Sequence, residues 1–171
     1  SKLSLDVDLV PGDWRTGVDV KILEQKLNED KSHKIKAVFA LHNETSTGVV
    51  SNIKKIRQVM DALKHPALLM VDTISSLGSI DYHHDEWKVD VTVCGSQKGL
   101  LLPPGISFNA ISQKALDAYS RSTMTKSYWD WKPMLENNKS GFFPFTPSTN
   151  LILGLDEALE MLMEEGLENV F

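Results

Sequence analysis

The chain has 171 residues, a length that fits one domain with a hydrophobic core of its own. Hydrophobic residues make up 42% and charged residues 24%, as in water-soluble globular proteins, and the net charge of −5 argues against a nucleic-acid surface. No apolar run approaches the roughly 18 residues that cross a bilayer, and residues 1–6 lack the apolar core of a signal peptide. Cys94 is the single cysteine, so we expect no intrachain disulfide, a buried thiol in an apolar stretch, and a cytoplasmic location.

The spacing of apolar residues predicts helices and strands that alternate along the chain. In order, they are a helix after Asp19, a strand over 35–41, a helix capped by Ser51, strands over 67–71, 89–93 and 106–111, and helices over 113–122 and 150–165. The segment 128–147 is rich in aromatic residues and proline and is predicted to be irregular. This alternation implies βαβ units, so the predicted fold class is α/β, with a mainly parallel sheet and flanking helices.

Polar loops follow three of the strands, where a doubly wound sheet binds its ligands. These loops contain Thr45, Asp72 and Lys98. A lysine shielded from water there can form a Schiff base with a carbonyl, and an aspartate beside it can hold the protonated ring nitrogen of pyridoxal phosphate (PLP). Taken singly, such a lysine is more often a solvated residue and such an aspartate a helix cap, so their joint occurrence favours a cofactor site without settling it.

Other familiar sites are disfavoured by the sequence. Residues 95–99 lack the first glycine and the spacing of a Walker A loop, and neither a Gly-x-Gly-x-x-Gly fingerprint nor a Gly-x-Ser-x-Gly elbow occurs. His83 and His84 stand beside acidic residues, but adjacent side chains point apart, so a solvated loop is favoured and no metal site is predicted. For Trp129 and Trp131, packing in the core or at an interface is favoured over stacking on a ligand.

Several stretches resemble the class V, fold-type-I aminotransferases, which are PLP enzymes, and in particular their serine–glyoxylate and alanine–glyoxylate members. The matching stretches are 42–49, 71–78, 85–91, 95–99 with 103–105, 127–131 and 145–147. They follow one another over almost the whole chain, and the Ser-Tyr-Trp-Asp-Trp stretch leans towards the serine–glyoxylate branch. The resemblance implies a transaminase that passes an amino group from serine or alanine to glyoxylate through a lysine Schiff base.

The resemblance also assigns roles to single residues at the cofactor ring. Lys98 matches the lysine that carries PLP and later shuttles the proton, and Asp72 matches the aspartate paired with the pyridine nitrogen. Thr45 matches the hydroxyl residue at the phenolic oxygen of PLP. Ile74 matches the aliphatic residue packed against one face of the ring.

Further matched positions concern the cofactor phosphate. Gln97 and Ser96 match phosphate-binding positions, and Thr146 matches a threonine that reaches the phosphate of the neighbouring subunit in a homodimer. Phe143 falls where some relatives place a phosphate-binding tyrosine, so the contact of that hydroxyl is lost here. The implied partners are small amino-acid and 2-oxo-acid substrates, with neither nucleic acid nor a membrane involved.

Two parts of the family's active site are not found in this sequence. They are a glycine-rich phosphate loop with a stacking aromatic residue, and a small C-terminal domain whose arginine holds the substrate carboxylate. The chain begins with a strand-like stretch and stops directly after a helix. We therefore expect residues 1–171 to be the central portion of the PLP-binding large domain, and expect this polypeptide alone to bind PLP weakly and to show little transaminase activity.

Two alternative functions stay open at this point. One is another class V reaction, such as cysteine desulfuration or phosphonate transamination. The desulfurase needs a mobile catalytic cysteine, whereas Cys94 lies in a predicted strand. The other alternative is a truncated, non-catalytic fold-type-I domain that only binds the cofactor or a partner chain.

Overall fold

A computed structural model describes residues 5–171 of the chain. Its helices are α1 (Val20–Glu29), α2 (Ile53–Ala62), α3 (Gln113–Arg121), α4 (Trp131–Asn138), α5 (Thr149–Glu165) and α6 (Leu167–Val170). Its strands are β1 (Ala37–Leu41), β2 (Asn43–Glu44), β3 (Val49–Val50), β4 (Leu68–Asp72), β5 (Val91–Gly95) and β6 (Ser107–Ile111). Among these helices, none is both long and apolar enough to span a membrane.

The main sheet has the strand order β1-β4-β5-β6. β1, β4 and β5 run parallel, and β6 pairs antiparallel with β5. In this register Asp72 lies opposite Leu41 on one side and Val93 on the other. The predicted α/β class is confirmed, and the loops that follow the three parallel strands leave the sheet at the same edge.

The hydrophobic core lies where α1 and α2 pack against β1 and β4. Ile56, Met60 and Leu69 are fully buried there. Burial of a side chain of this size stabilises the fold by about 1.5–3 kcal/mol. A second cluster joins Cys94 of β5 to Leu162 of α5. The buried position that we predicted for the single cysteine is therefore confirmed.

A buried carboxylate, that of Asp90, ties several elements together just before β5. Its Oδ2 accepts hydrogen bonds from Arg57 Nη2 in α2 and from the Leu69 N–H in β4, each at 2.8 Å. Its Oδ1 accepts from Ser112 Oγ, the residue that caps α3, at 2.9 Å. This buried carboxylate thus connects α2 and the cap of α3 to the sheet, and its hydrogen bonds offset part of the cost of taking its charge out of water.

The first predicted helix is confirmed, since Asp19 caps α1 by accepting the Lys21 N–H at 2.8 Å. The cap predicted for α2 is wrong by one residue. Asn52 caps that helix by accepting the Lys55 N–H at 2.9 Å. Ser51 Oγ instead accepts the Val18 N–H at 3.2 Å. Its hydroxyl is therefore bonded to a residue distant in sequence and does not cap the helix.

The segment 128–147 is not irregular throughout, because α4 lies inside it. Asp130 caps α4 by accepting the Lys132 N–H at 3.1 Å. Pro133 falls in the first turn, where a missing N–H costs no helical hydrogen bond. The strand-like stretch expected at the start of the chain lies partly in residues 1–4, outside the described residues, and residues 5–10 are not in a strand.

Candidate active site

The edge of the sheet formed by the carboxyl ends of the parallel strands brings the predicted loops together. Asp72 is the last residue of β4, and Lys98 follows Gly95, the last residue of β5. Because β4 and β5 are neighbours in the sheet, the loops after them lie side by side.

Two glycines allow these loops to touch. A Cβ on Gly99 would lie 2.3 Å from the Leu77 carbonyl oxygen, and one on Gly78 would lie 2.8 Å from the Gly99 carbonyl oxygen. Gly78 also has a φ of +76°, in the left-handed region that favours glycine. The turn that carries Lys98 can therefore approach the loop after Asp72 only because both positions lack a side chain.

Lys98 lines an open cleft of about 410 Å³. Ser75 and Ser79 of the Asp72 loop form one wall, and Leu162 and Glu165 of α5 form another. Lys98 is exposed in this chain, so the expected shielding from water is not found, and within residues 5–171 its Nζ has neither a hydrogen-bond partner nor an ion-pair partner. The amine is free to react with or bind a ligand that enters the cleft.

The Asp72 carboxylate is held from one side only. Its Oδ1 accepts the Ile74 N–H at 2.8 Å, while Oδ2 has no partner in the part of the chain that the structure describes. Asp72 does not line the cleft around Lys98 and is not paired with it. Lys98 and Asp72 thus lie on adjoining loops, and within the described residues Lys98 Nζ and Asp72 Oδ2 each lack a hydrogen-bond partner.

The loop that contains Thr45 is attached to the Asp72 loop by side chains. Asn43 Nδ2 donates to Ser75 Oγ at 2.9 Å, and Ser75 Oγ donates to the Asn43 carbonyl oxygen at 3.1 Å. Thr45 itself is exposed in the turn between β2 and β3, whereas Ile74 is half-buried. Thr45 and Ile74 therefore belong to the same group of connected loops as Asp72.

The two predicted phosphate positions in the Lys98 turn differ in what they can offer a ligand. Ser96 is fully buried, and its Oγ donates to the Pro103 carbonyl oxygen at 2.7 Å and accepts the Ile106 N–H at 3.3 Å. Gln97 is exposed. The Ser96 hydroxyl is used to close the turn, so Gln97 has the side chain that is free to contact a phosphate.

Thr146 does not line the cleft around Lys98. It lines a separate groove of about 1000 Å³, formed by residues 141–147 and the start of α5, including Ile152. Ile152 and Leu162, which borders the Lys98 cleft, are about 15 Å apart along the helix axis at 1.5 Å per residue. The structure therefore places Thr146 outside the site that this chain itself builds around Lys98.

His42 was not assigned a role from the sequence, although it lies in one of the matched stretches. It is 2% exposed, and its Nδ1 lies 2.9 Å from Ser76 Oγ. Its ring contacts those of Tyr82 and Trp87, with centroids 5.1 and 6.0 Å away. Burial lowers the pKa of His42, and the carboxylate of Asp81 opposes this only in part. The sequence does contain a signal for His42, because it is a polar residue directly after an apolar strand.

Other sequence predictions have mixed outcomes. His83 is exposed and pairs with Asp81 at 2.9 Å, as expected for a solvated loop, but His84 is half-buried and its Nδ1 lies 2.7 Å from Thr92 Oγ1. Within residues 5–171, no group of three or more His, Cys, Asp or Glu side chains is arranged to hold a metal ion. Trp131 packs on a neighbouring ring, whereas Trp129 is 89% exposed, so core packing is wrong for Trp129 and packing at an interface stays a prediction.

An α/β sheet that presents a lysine and an aspartate on adjoining loops is typical of enzymes that bind a cofactor at the strand ends. The chain belongs to the aminotransferase class-V family, which it matches over residues 1–171. The family resemblance predicted from the sequence is therefore confirmed.

Individual members of this family that resemble the chain have named activities. The chain is 48% identical to a serine–glyoxylate aminotransferase of Methylorubrum extorquens, over 99% of this chain and 44% of that protein. It is 46% identical to an L-aspartate–glyoxylate aminotransferase of Paracoccus denitrificans, over 98% of this chain and 42% of that protein. The crystal structure of an alanine–glyoxylate aminotransferase from Nostoc sp. superimposes with a TM-score of 0.80 at 29% identity, over 94% of this chain and 42% of that one. The chain thus spans less than half the length of these relatives.

Proposed function

We propose that this chain supplies the PLP-binding lysine and aspartate of an aminotransferase that passes an amino group from serine, or alanine, to glyoxylate. The observation that carries the proposal is the pair of unused polar atoms, Lys98 Nζ and Asp72 Oδ2, on adjoining loops at the ends of neighbouring parallel strands. The names of the relatives support the reaction class, since all three have glyoxylate as a substrate.

The residues present fit PLP. A carboxylate suits a protonated ring nitrogen, and a primary amine suits the aldehyde on the opposite side of the ring. When bound, PLP supplies an aldehyde that takes up the amino group and a ring that withdraws electrons from the substrate α-carbon.

The chain's own residues then have distinct tasks in the proposed reaction. Asp72 would hold the ring nitrogen protonated through Oδ2, with its other oxygen fixed by the Ile74 N–H. Lys98 would hold the aldehyde end of the cofactor and would move the α-proton of the substrate, since a flexible primary amine can serve as the base in such a step. Ile74 would pack on the ring, and Thr45 would donate a hydrogen bond to its phenolic oxygen.

For the phosphate, we propose that Gln97 makes the direct contact. Ser96, the other matched position, supports the same turn through its buried hydroxyl. We further propose a homodimer in which Thr146 reaches the partner's phosphate. This assignment is supported by the position of Thr146 in a groove separate from the Lys98 cleft, and by Phe142 and Leu153 beside it, which are 67% and 70% exposed. A cytoplasmic location is part of the proposal, because the single cysteine is free and buried.

Cysteine desulfuration is disfavoured by the position of the thiol. Cys94 is 2% exposed in β5, and burial raises its pKa. A catalytic cysteine needs an accessible thiolate. The transaminase therefore remains the function that the site supports best.

The first test is Lys98→Ala in the enzyme that contains this chain. We expect PLP to be attached to the wild type by borohydride reduction, with the mass increment on the peptide of Lys98. The variant should lose both this label and more than 99% of its turnover, since an activated nucleophile contributes orders of magnitude in rate. Turnover assays of the wild type with serine, alanine or aspartate, each supplied with glyoxylate, identify the preferred amino donor.

Lys55→Ala is the matched control, because Lys55 is an exposed lysine on α2 that does not line the Lys98 cleft. It should keep the label and the turnover of the wild type. Full turnover in Lys98→Ala would refute the assignment of the lysine. Absence of label in the wild type would instead favour the non-catalytic domain.

A further inference from the structure

His42 connects two segments of the candidate site through both its backbone and its side chain. Its N–H donates to the Asp72 carbonyl oxygen at 2.9 Å, and its Nδ1 lies 2.9 Å from Ser76 Oγ. The Asp72 loop is therefore held at its first residue and again four positions later by one histidine.

The direction of the side-chain hydrogen bond follows from burial. Ser76 is 0% exposed, and within the described residues its hydroxyl has no partner other than His42. A buried hydroxyl whose hydrogen found no acceptor would cost free energy. Ser76 therefore donates and His42 Nδ1 accepts, which places the proton of the neutral ring on Nε2.

This hydrogen bond sits between the two groups that the proposed reaction needs. On one side is the carboxylate of Asp72, which is oriented by the backbone of the same loop at Ile74. On the other side the loop runs on to Gly78, which touches the turn of Lys98 at Gly99. Any displacement at Ser76 is therefore transmitted along the chain towards both the carboxylate and the amine.

We propose that His42 and Ser76 form a positioning pair, in which neutral His42 accepts the Ser76 hydroxyl and so holds the Asp72 loop in register with the Lys98 turn for cofactor binding. This inference rests on the proposed function. Neither residue touches the reacting atoms. Their contribution would be to hold the Asp72 carboxylate where it could contact the ring nitrogen of the cofactor.

The test uses three variants of the enzyme that contains this chain. His42→Leu removes the acceptor at similar size, Ser76→Ala removes the donor, and His42→Asn keeps an amide oxygen able to take the place of Nδ1. For each variant, the dissociation constant of PLP is measured by titrating the apo enzyme, together with kcat, KM for the amino donor and the unfolding temperature. His83→Leu is the control, because His83 is an exposed histidine of the neighbouring loop.

We expect His42→Leu and Ser76→Ala to weaken PLP binding about tenfold, since each loses one buried hydrogen bond. Their kcat should fall while KM for the donor changes less than twofold. His42→Asn should restore PLP affinity to within about threefold of the wild type, and His83→Leu should equal the wild type.

A purely structural role gives a different result. In that case the unfolding temperature falls, while the PLP dissociation constant, measured where every variant is folded, stays at the wild-type value, and the positioning role is refuted. If His42→Leu does not fold, Ser76→Ala decides by the same criterion. A wild-type enzyme that binds no PLP would overturn the proposed function and this inference together, whereas PLP binding that is unchanged in the variants overturns the inference alone.

Discussion

The protonation state of His42 links the candidate site to the stability of the fold. In the folded chain, burial lowers the pKa of His42 below its ordinary value of 6.5. The charged groups around it do not reverse this effect. Asp81 opposes it only in part, and Tyr82, whose own pKa burial raises to about 12, stays neutral. A protonated Nδ1 would also lose its role as acceptor for the Ser76 hydroxyl.

We therefore predict that acid weakens the fold through His42. Below pH 6.5 the unfolded chain binds a proton at this position more readily than the folded chain does, so the free energy of unfolding falls as the pH falls from 6.5 towards the lowered pKa. Above pH 6.5 the contribution is complete. Chemical denaturation across this range measures the slope.

The comparison with His42→Asn isolates this effect, because asparagine does not titrate. As the pH is lowered from neutral to just above the range in which carboxylates titrate, the free energy of unfolding should fall less in His42→Asn than in the wild type. An identical slope in both proteins would show that His42 is not the source of the pH dependence.

At the scale of the elements, the contact between the Asp72 loop and the Lys98 turn is the feature most sensitive to substitution. We predict that Gly99→Ala destabilises the protein by about 1–3 kcal/mol, as expected for overpacking at a tight contact. The physical reason is the 2.3 Å distance between the new Cβ and the Leu77 carbonyl oxygen. Chemical denaturation gives the stability, and PLP titration shows whether the Lys98 turn has moved.

Gly12→Ala provides the control for this substitution. A Cβ on Gly12 meets nothing within 4 Å, so stability should change by less than about 0.5 kcal/mol. Equal effects of the two substitutions would show that the loop contact is not tight.

The helices and strands could be predicted from the sequence where their signals are local. Asp19 caps α1 as expected, because the capping hydrogen bond spans only two residues. Ser51 and Asn52 are both good caps for α2, and the choice depends on Val18, which is 33 residues away from Ser51 in sequence. The antiparallel direction of β6 likewise has no local signal, since only its pairing with β5 reveals it.

For the candidate site too, the sequence predicts what depends on neighbouring residues and not what depends on contacts distant in sequence. Asp72 and Lys98 could be selected because each stands just after an apolar strand. Their arrangement on touching loops depends on β4 and β5 being neighbours, which the sequence does not state. The role of Asp90 was missed for the same reason, because its partners Arg57 and Ser112 come from helices on either side of it in the chain.

For the molecule as a whole, the groove around Thr146 argues for a partner. Large aromatic and aliphatic side chains are exposed there, including Phe142, Phe145 and Leu153 at 67%, 46% and 70%. Contiguous exposed apolar surface of this kind marks interaction sites. In the proposed homodimer the same surface would bring Thr146 to the cofactor phosphate of the second subunit.

We predict that Leu153→Lys, which places a charge in this groove, converts the proposed dimer to monomer and weakens PLP binding. Burial of an unpaired ammonium is unfavourable, so the interface rather than the fold should be lost. Met163→Lys is a matched control, because Met163 is also 70% exposed on α5 but does not line the groove. Light scattering measures the mass, and PLP titration the affinity. A Leu153→Lys protein that stays dimeric with unchanged PLP affinity would contradict the role of this groove, and Thr146 would then have to act elsewhere.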